Sequence, residues 1–249
     1  PNMAENTENY KEFREQGLLL PGCTVYNALS KKGRELYWQQ LKRGLLVHGV
    51  DAWWCDSSEP FTPEWNHVER VVPAVMYAQY CNTVNNHLPV EKMNAFGLYH
   101  ARGIYEGQRA ESDKRVTNLT RSACTGQQRY GTILWSGDTE ATWDTLRRQV
   151  AAGLHFCASG LPFWTVDIGA FFVKRGNLWY WKGDYPEGCQ DLGYRELFVR
   201  WYQWGAFLPI FRGHGTDCRR ELWEYCGENG MFYDALLVAN RLRYRLMPY

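Results

Sequence analysis

At 249 residues the chain is long enough to bury one sizeable core, and its 45% apolar and 22% charged content is ordinary for a soluble globular protein. A formal net charge of +1 supplies no strong field that would select nucleic acid or an anionic membrane surface. No apolar run approaches the ~20 residues needed to span a bilayer.

In chain order, residues 1–30 read as loop, punctuated by Gly17, Pro21, Gly22 and Asn27. Ser30 can cap a helix in which Leu36, Trp38, Leu41, Leu45 and Leu46 recur near a helical period, until His48-Gly49 stops it. A strand over 50–56 follows and ends in Asp56-Ser57-Ser58-Glu59-Pro60. A polar loop, 61–67, leads to a helix carrying Val68, Val71, Val72, Val75, Met76 and Tyr80, with Pro73 inside it as a kink. A second helical segment runs over 90–110 with Phe96, Tyr99 and Ile104 inward and Gly103 as a weak point.

Strands over 116–121 and 131–135 end in Arg121-Ser122 and in Ser136-Gly137-Asp138. Asn118-Leu119-Thr120 within the first matches a glycosylation sequon, though in an apolar stretch. Asp138 or Thr139 can cap the next helix, on which Trp143, Leu146, Val150 and Leu154 form one stripe. A strand over 162–167 ends in Asp167-Ile168-Gly169. The Gly- and aromatic-rich loop 169–193 is long enough to suggest function. A helix over 194–205, a strand over 206–211 ending in Arg212-Gly213-His214-Gly215, and a last helix over 231–246 complete the chain.

Strands alternating with helices predict an α/β fold with a parallel sheet. A reactive-looking tip on nearly every strand favours a barrel over a doubly wound sheet, where such residues gather at one crevice. A closed barrel needs eight strands and five are read here, so the expectation is a partial (β/α)8 barrel with three strands before residue 1. No internal repeat or low-complexity tract is visible. The chain opens on Pro1 rather than Met, and no signal peptide is seen. Cytoplasmic, periplasmic and secreted locations all stay open.

The 12 Trp, 16 Tyr and 11 Phe fit an aromatic-rich core, and they also fit a site where rings pack on the apolar faces of sugars. The eight cysteines form no CxxC pair and read mostly as buried thiols rather than a disulfide framework. There is no GxxxxGK[ST], no GxGxxG opening a helix after a strand, no GxSxG elbow, and no HxxxH pair among the six His. No metal and no cofactor is therefore expected. What remains is carboxylate chemistry. Asp56 and Asp138 each close a Trp-bearing apolar strand and each precedes a helix start. One can serve as nucleophile and the other as acid/base in cleaving a glycosidic bond, which needs one ionised and one protonated carboxyl. Burial beside Trp135 would raise the carboxyl of Asp138, and Arg121 would hold another carboxylate ionised. Taken singly, either Asp also fits a helix cap. His214, between two glycines, reads as a hydrogen-bonding reader of ligand or as a structural His.

Six blocks in order carry a resemblance. They are Trp53-Trp54-Cys55-Asp56-Ser57-Ser58-Glu59-Pro60, Thr120-Arg121-Ser122-Ala123, Gly126-Gln127-Gln128-Arg129-Tyr130, Trp135-Ser136-Gly137-Asp138, Phe163-Trp164-Thr165-Val166-Asp167-Ile168-Gly169 and Phe207-Leu208-Pro209-Ile210-Phe211-Arg212-Gly213-His214-Gly215. Together they resemble glycoside hydrolase family 31 over essentially the whole chain. The resemblance implies a retaining exo-α-glycosidase on a (β/α)8 barrel, of which residues 1–249 would be the C-terminal part of the catalytic domain, without its first strands and flanking β-sandwiches. It implies Asp56 as nucleophile and Asp138 as acid/base. Trp54, Arg121, Trp135, Asp167, Phe171 and His214 match residues lining the subsite of the cleaved sugar. Two departures stand out. Ile168-Gly169-Ala170-Phe171 has Ala where the family commonly has a second Gly, so the turn at Ala170 is expected to differ. The spacing from Arg121 to Asp138 is also one residue longer.

The implied partners are an oligosaccharide or glycoside substrate and the remainder of the same polypeptide, with no nucleic acid and no membrane; a homo-oligomer stays open. α-Xylose is placed ahead of α-glucose as the released sugar, because bulk near Trp54, Cys55 and Ser57 would crowd a C5 hydroxymethyl group. A catalytically inactive carbohydrate-binding barrel, an α-transglycosylase and an α-galactosidase use the same site and stay as alternatives. Expressed alone, these residues are expected to leave strand edges and apolar faces uncovered and to be neither stable nor active.

Overall fold

The computed structural model describes residues 3–59, 61, 69–226 and 230–249. The expected polar loop 61–67 and Val68 lie almost wholly outside them. The chain divides into two compact units, one from 1–65 and 71–134, the other from 66–70 and 135–249.

The first unit opens with α1 (Glu8–Glu15), which the sequence reading missed. Thr7 caps it by accepting from the Tyr10 N–H, and Tyr10 and Phe13, one turn apart, are buried. Ser30 caps α2 (Lys31–Gly44) as expected, a 3-10 turn covers Leu46–His48, and left-handed Gly49 ends it. The strand β1 (Trp53–Cys55) is shorter than its apolar run and alternates, with Trp53 and Cys55 inward and Trp54 outward. Pro73 does not kink a helix. It starts one, α3 (Pro73–His87), because the first turn needs no N–H from it.

A 3-10 turn at Val90–Ala95 runs into α4 (Phe96–Glu111). Gly103 and Gly107 are no weak points there. A Cβ on them would lie 2.9 Å from Arg34 Cβ and 2.2 Å from the Trp38 ring, so these glycines let α4 approach α2 closely. Next come β2 (Asn118–Thr120) and β3 (Thr132–Trp135). β1 pairs parallel with β2, and β2 with β3, with Cys55 opposite Thr120 and Thr120 opposite Leu134. Asn118 is fully buried, so its sequon offers no acceptor for a glycan. The core of this unit gathers Phe13, Val25, Tyr26, Val84 and Phe96, with a second cluster of Trp38, Trp53, Ile104 and Val116.

The second unit begins at the end of β3 and holds α5 (Trp143–Ala158), β4 (Trp164–Thr165), α6 (Leu192–Gly205) and α7 (Met231–Leu246). Thr142 caps α5, rather than Asp138 or Thr139, and the expected apolar stripe is mostly solvated: Leu146 is buried but Trp143 and Leu154 are exposed. Asp191 caps α6, one of whose faces buries Tyr194, Leu197, Phe198 and Trp201. Phe198 stacks on Tyr225, with ring centroids 4.2 Å apart.

The expected strand over 206–211 is not formed. The end of α6 continues into a turn at 206–208, and Pro209 has no N–H for a ladder. A single parallel bridge, Ile168 to Gly213, follows just beyond it. The described strands thus number four rather than five. No cysteine is disulfide-bonded among the described residues, and the expectation of mostly buried thiols holds fully only for Cys55: Cys157 is exposed and the others are half-buried.

Candidate active site at the strand tips

In the first unit the parallel register sets Cys55 beside Thr120, so the next residues, Asp56 and Arg121, emerge side by side. Arg121 Nη1 lies 3.3 Å from Asp56 Oδ1. The same guanidinium donates from Nε to Glu59 Oε1 at 2.8 Å, and from Nη2 to Glu59 Oε2 at 3.1 Å and to Ser57 Oγ at 3.2 Å. Glu59 is thus the bidentate partner that aims Arg121 while Asp56 shares its charge. Asp56 also accepts from the Ser57 N–H at 2.8 Å. Ser57 has φ +48°, a left-handed conformation costly for a residue with a Cβ and typical of functional sites. Beneath them Ser58 is fully buried and takes part in hydrogen bonds with Thr120 Oγ1 at 2.6 Å and with the Ser122 N–H at 3.0 Å, which pins the two tips together. Trp54 is 53% exposed beside this cluster. Cys55 donates to Asn118 Oδ1 at 3.0 Å, and burial pushes its thiol up to about 12, so it is a neutral packing group.

The second unit holds the other candidates. Trp135 is buried at the end of β3, but left-handed Gly137 turns the chain outward and Asp138 is exposed. The expected burial of Asp138 beside Trp135 is therefore not found. The buried carboxyl is Asp167, at 0% exposure. Its Oδ1 accepts from Arg212 Nη2, and its Oδ2 is buried with no protein partner. Arg212 in turn lies over the Trp135 ring, 5.5 Å from its centroid. Burial pushes the Asp167 carboxyl up to about 7; the Arg212 charge opposes this, and the Asp138 charge adds to it.

Past Asp167 the backbone makes a tight turn with φ +86° at Gly169 and +66° at Ala170. At Ala170 the chain thus takes a left-handed turn with a residue that carries a Cβ, where Gly would be unstrained. The Phe171 ring that follows lies 5.7 Å from the His214 ring. Asp217 accepts from the backbone N–H groups of Val173 (3.0 Å) and Lys174 (2.7 Å), anchoring the start of the long loop.

Of the expected site residues, Asp56 and Arg121 are joined, as are Trp135 and Asp167 through Arg212, and Phe171 meets His214. Arg212 and Asp217 escaped sequence reading, as did the orienting role of Glu59. Arg212, directly before Gly213-His214-Gly215, was the findable one, since a buried acid wants a cation at the neighbouring tip. Among the described residues no group of three His, Cys, Asp or Glu is placed to hold a metal ion.

The model of the glycosyl hydrolases family 31 TIM-barrel domain matches residues 1–249. An alpha-xylosidase of Saccharolobus solfataricus is 39% identical over all of this chain and 31% of its own length. A neutral alpha-glucosidase C of Mus musculus is 32% identical over 94% of this chain and 24% of its own. The crystal structure of an alpha-xylosidase from Xanthomonas citri superposes with a TM-score of 0.79 at 34% identity, covering 98% of this chain and 27% of that one. The chain thus spans about a third or less of the length of these relatives.

Proposed function

This chain belongs to glycoside hydrolase family 31 and has its TIM-barrel fold, and from that we propose that it carries the catalytic carboxylates of an exo-acting, retaining α-glycosidase that releases terminal α-xylose. The observation that carries the reading is the Arg121–Asp56 pair at adjoining parallel strand tips, with Glu59 holding the guanidinium in place. A carboxylate so placed is exposed to a ligand, flanked by a cation, and set next to an aromatic face, Trp54, suited to a sugar ring.

In this mechanism Asp56 attacks the anomeric carbon while Asp138 gives its proton to the glycosidic oxygen, and the aglycone leaves. Water then attacks the covalent intermediate with Asp138 as base, and Asp56 departs with net retention. Arg121, Asp167 and His214 hydrogen-bond the sugar hydroxyls, and Trp54, Trp135 and Phe171 wall the subsite. The free Oδ2 of Asp167 supports its role, since a buried oxygen without a protein partner is set to meet a hydroxyl.

In the intact protein Asp56→Asn should remove nearly all turnover. Asp138→Ala should slow natural α-glycosides far more than aryl glycosides with good leaving groups, because only the former need the proton. Equal losses on both substrates, measured as kcat/KM, would reject Asp138 as the acid. NMR of the first-formed anomer tests retention. α-Glucose is the second reading, favoured by the likeness to the neutral alpha-glucosidase. A panel of aryl α-xylosides, α-glucosides and α-galactosides decides among these sugars.

A further inference from the structure

Three consecutive carbonyls of the turn after β4 are all taken by side chain or backbone donors from elsewhere in the second unit. Gly169 O accepts from Tyr194 OH at 2.9 Å. Ala170 O accepts from Arg220 Nη2 at 2.7 Å. Phe171 O accepts from the Thr216 N–H at 3.1 Å, with Arg220 Nη2 at 3.4 Å behind it. The turn's own bond, from the Ala170 N–H to Asp167 O at 2.8 Å, still leaves two successive left-handed residues, one of them Ala, that cost strain. The turn needs such partners, and Arg220 is the one that carries a charge.

The same guanidinium reaches the 213–215 segment. Its Nη1 donates to Cys218 O and lies 2.9 Å from Cys218 Sγ. It sits 6.0 Å from the centroid of the Tyr194 ring. Both glycines around His214 are shaped to it. A Cβ on Gly215 would meet Arg220 Nη2 at 1.9 Å and Ala170 O at 2.8 Å, and one on Gly213 would meet Arg220 Cβ at 3.1 Å. The side chain is threaded past the two residues that flank His214 and ends on the carbonyls that flank Phe171.

We infer that Arg220 is a positioning residue: it clamps the 169–171 turn to the 213–215 segment and so sets Phe171 and His214 in mutual register. The inference rests on the reading that those two side chains meet the sugar. In this reading Arg220 acts through those two side chains rather than on the sugar itself. Its guanidinium is required because two separate carbonyl groups, Ala170 and Cys218, are served by two different nitrogens of one planar fork.

The test uses the intact protein and an aryl α-xyloside. Arg220→Met should lower kcat/KM on the order of 10²-fold, the scale of a misplaced subsite. Arg220→Lys, which keeps charge and one donor, should recover part of the loss. Gly215→Ala, which evicts the guanidinium while keeping it in the chain, should reproduce the Met phenotype. A merely structural role would make losses multiply, so the deciding measurement is a cycle with the double variant Phe171→Ala/His214→Ala: adding Arg220→Met to it should cost less than about threefold, since neither side chain it positions is left. Multiplying losses, or an Arg220→Met protein with wild-type kcat/KM, would overturn the inference. Crystal structures of the wild type and of Arg220→Lys or Gly215→Ala separate this from the functional reading. Displaced Phe171 and His214 rings support the clamp whatever the enzyme hydrolyses, and rings left in place refute it. A wild-type protein inactive on every α-glycoside refutes the functional reading alone.

Discussion

Asp167 shows how burial and charge divide one side chain. One oxygen is tied to Arg212 and the other has no protein partner, at zero exposure. Burial wins over the guanidinium and lifts the carboxyl from its ordinary 3.8 to about 7. The folded protein then keeps a proton between those values that the unfolded chain has lost. Stability must therefore fall as pH rises across that window, by at most ~1.4 kcal/mol per pH unit, and level off above it. Asp167→Asn removes the titration, so its stability should be flatter between pH 4 and 7 than that of the wild type. Urea midpoints at pH 5, 6, 7 and 8 measure this, and parallel pH profiles for the two proteins would show that Asp167 is ionised throughout. The sequence could place an acid at this tip but not its burial, because burial depends on Arg212, Trp135 and the turn at Gly169 arriving from separate stretches. For Asp138 the reverse holds: Trp135 beside it in sequence is buried, yet Asp138, directly after left-handed Gly137, is exposed.

Among the elements, what the sequence revealed follows from what each element is made of. Long helices with periodic apolar faces and a cap, such as α2 and α6, were legible, and α7 falls on its expected residues. The short α1 was not, since two buried aromatics on an otherwise polar segment make no period that stands out. The run Ala206–Phe211 is apolar enough for a strand, yet it continues a helix end and contains Pro209, and the parallel bridge to Ile168 comes only after it, at Gly213. Glycines divide in the same way. Gly107 of α4 has the Trp38 ring at 2.2 Å from where a Cβ would sit, and that ring is buried. Gly44, at the end of α2, has nothing within 4 Å. The substitution to Ala favours helix by up to ~1 kcal/mol at either position. At Gly107 overpacking against the buried Trp38 ring should dominate, with a net loss of ~1–3 kcal/mol. At Gly44 only the gain is left. Chemical denaturation of Gly107→Ala and Gly44→Ala should give shifts of opposite sign. Shifts of the same sign would mean that α4 and α2 do not approach as closely as described.

At the scale of the whole chain, the number of strands and the placement of apolar surface point the same way. Four described strands are half of what a closed barrel of this family's fold needs. Among the described residues β1 pairs with β2 and with no other strand, which leaves one row of backbone donors and acceptors of that strand without a ladder partner. α7 buries Leu236 and Ala239 on one face but exposes Met231, Val238 and Tyr244 on others, the pattern of a helix meant to be covered on more than one side. Leu192 and Phe207 are exposed as well. The chain also spans only about a third of its α-xylosidase relative's length. Residues 1–249 produced by themselves should therefore bind a hydrophobic dye such as ANS, associate in a concentration-dependent way, and show no α-glycosidase turnover even with Asp56 and Asp138 intact. Adding strands that complete the sheet should abolish dye binding before it restores turnover, because edge pairing is a condition for the tips to hold their register. A monomeric preparation of these residues that unfolds cooperatively and hydrolyses an aryl α-xyloside would show instead that four strands suffice, and that the exposed faces of α7 are ordinary surface.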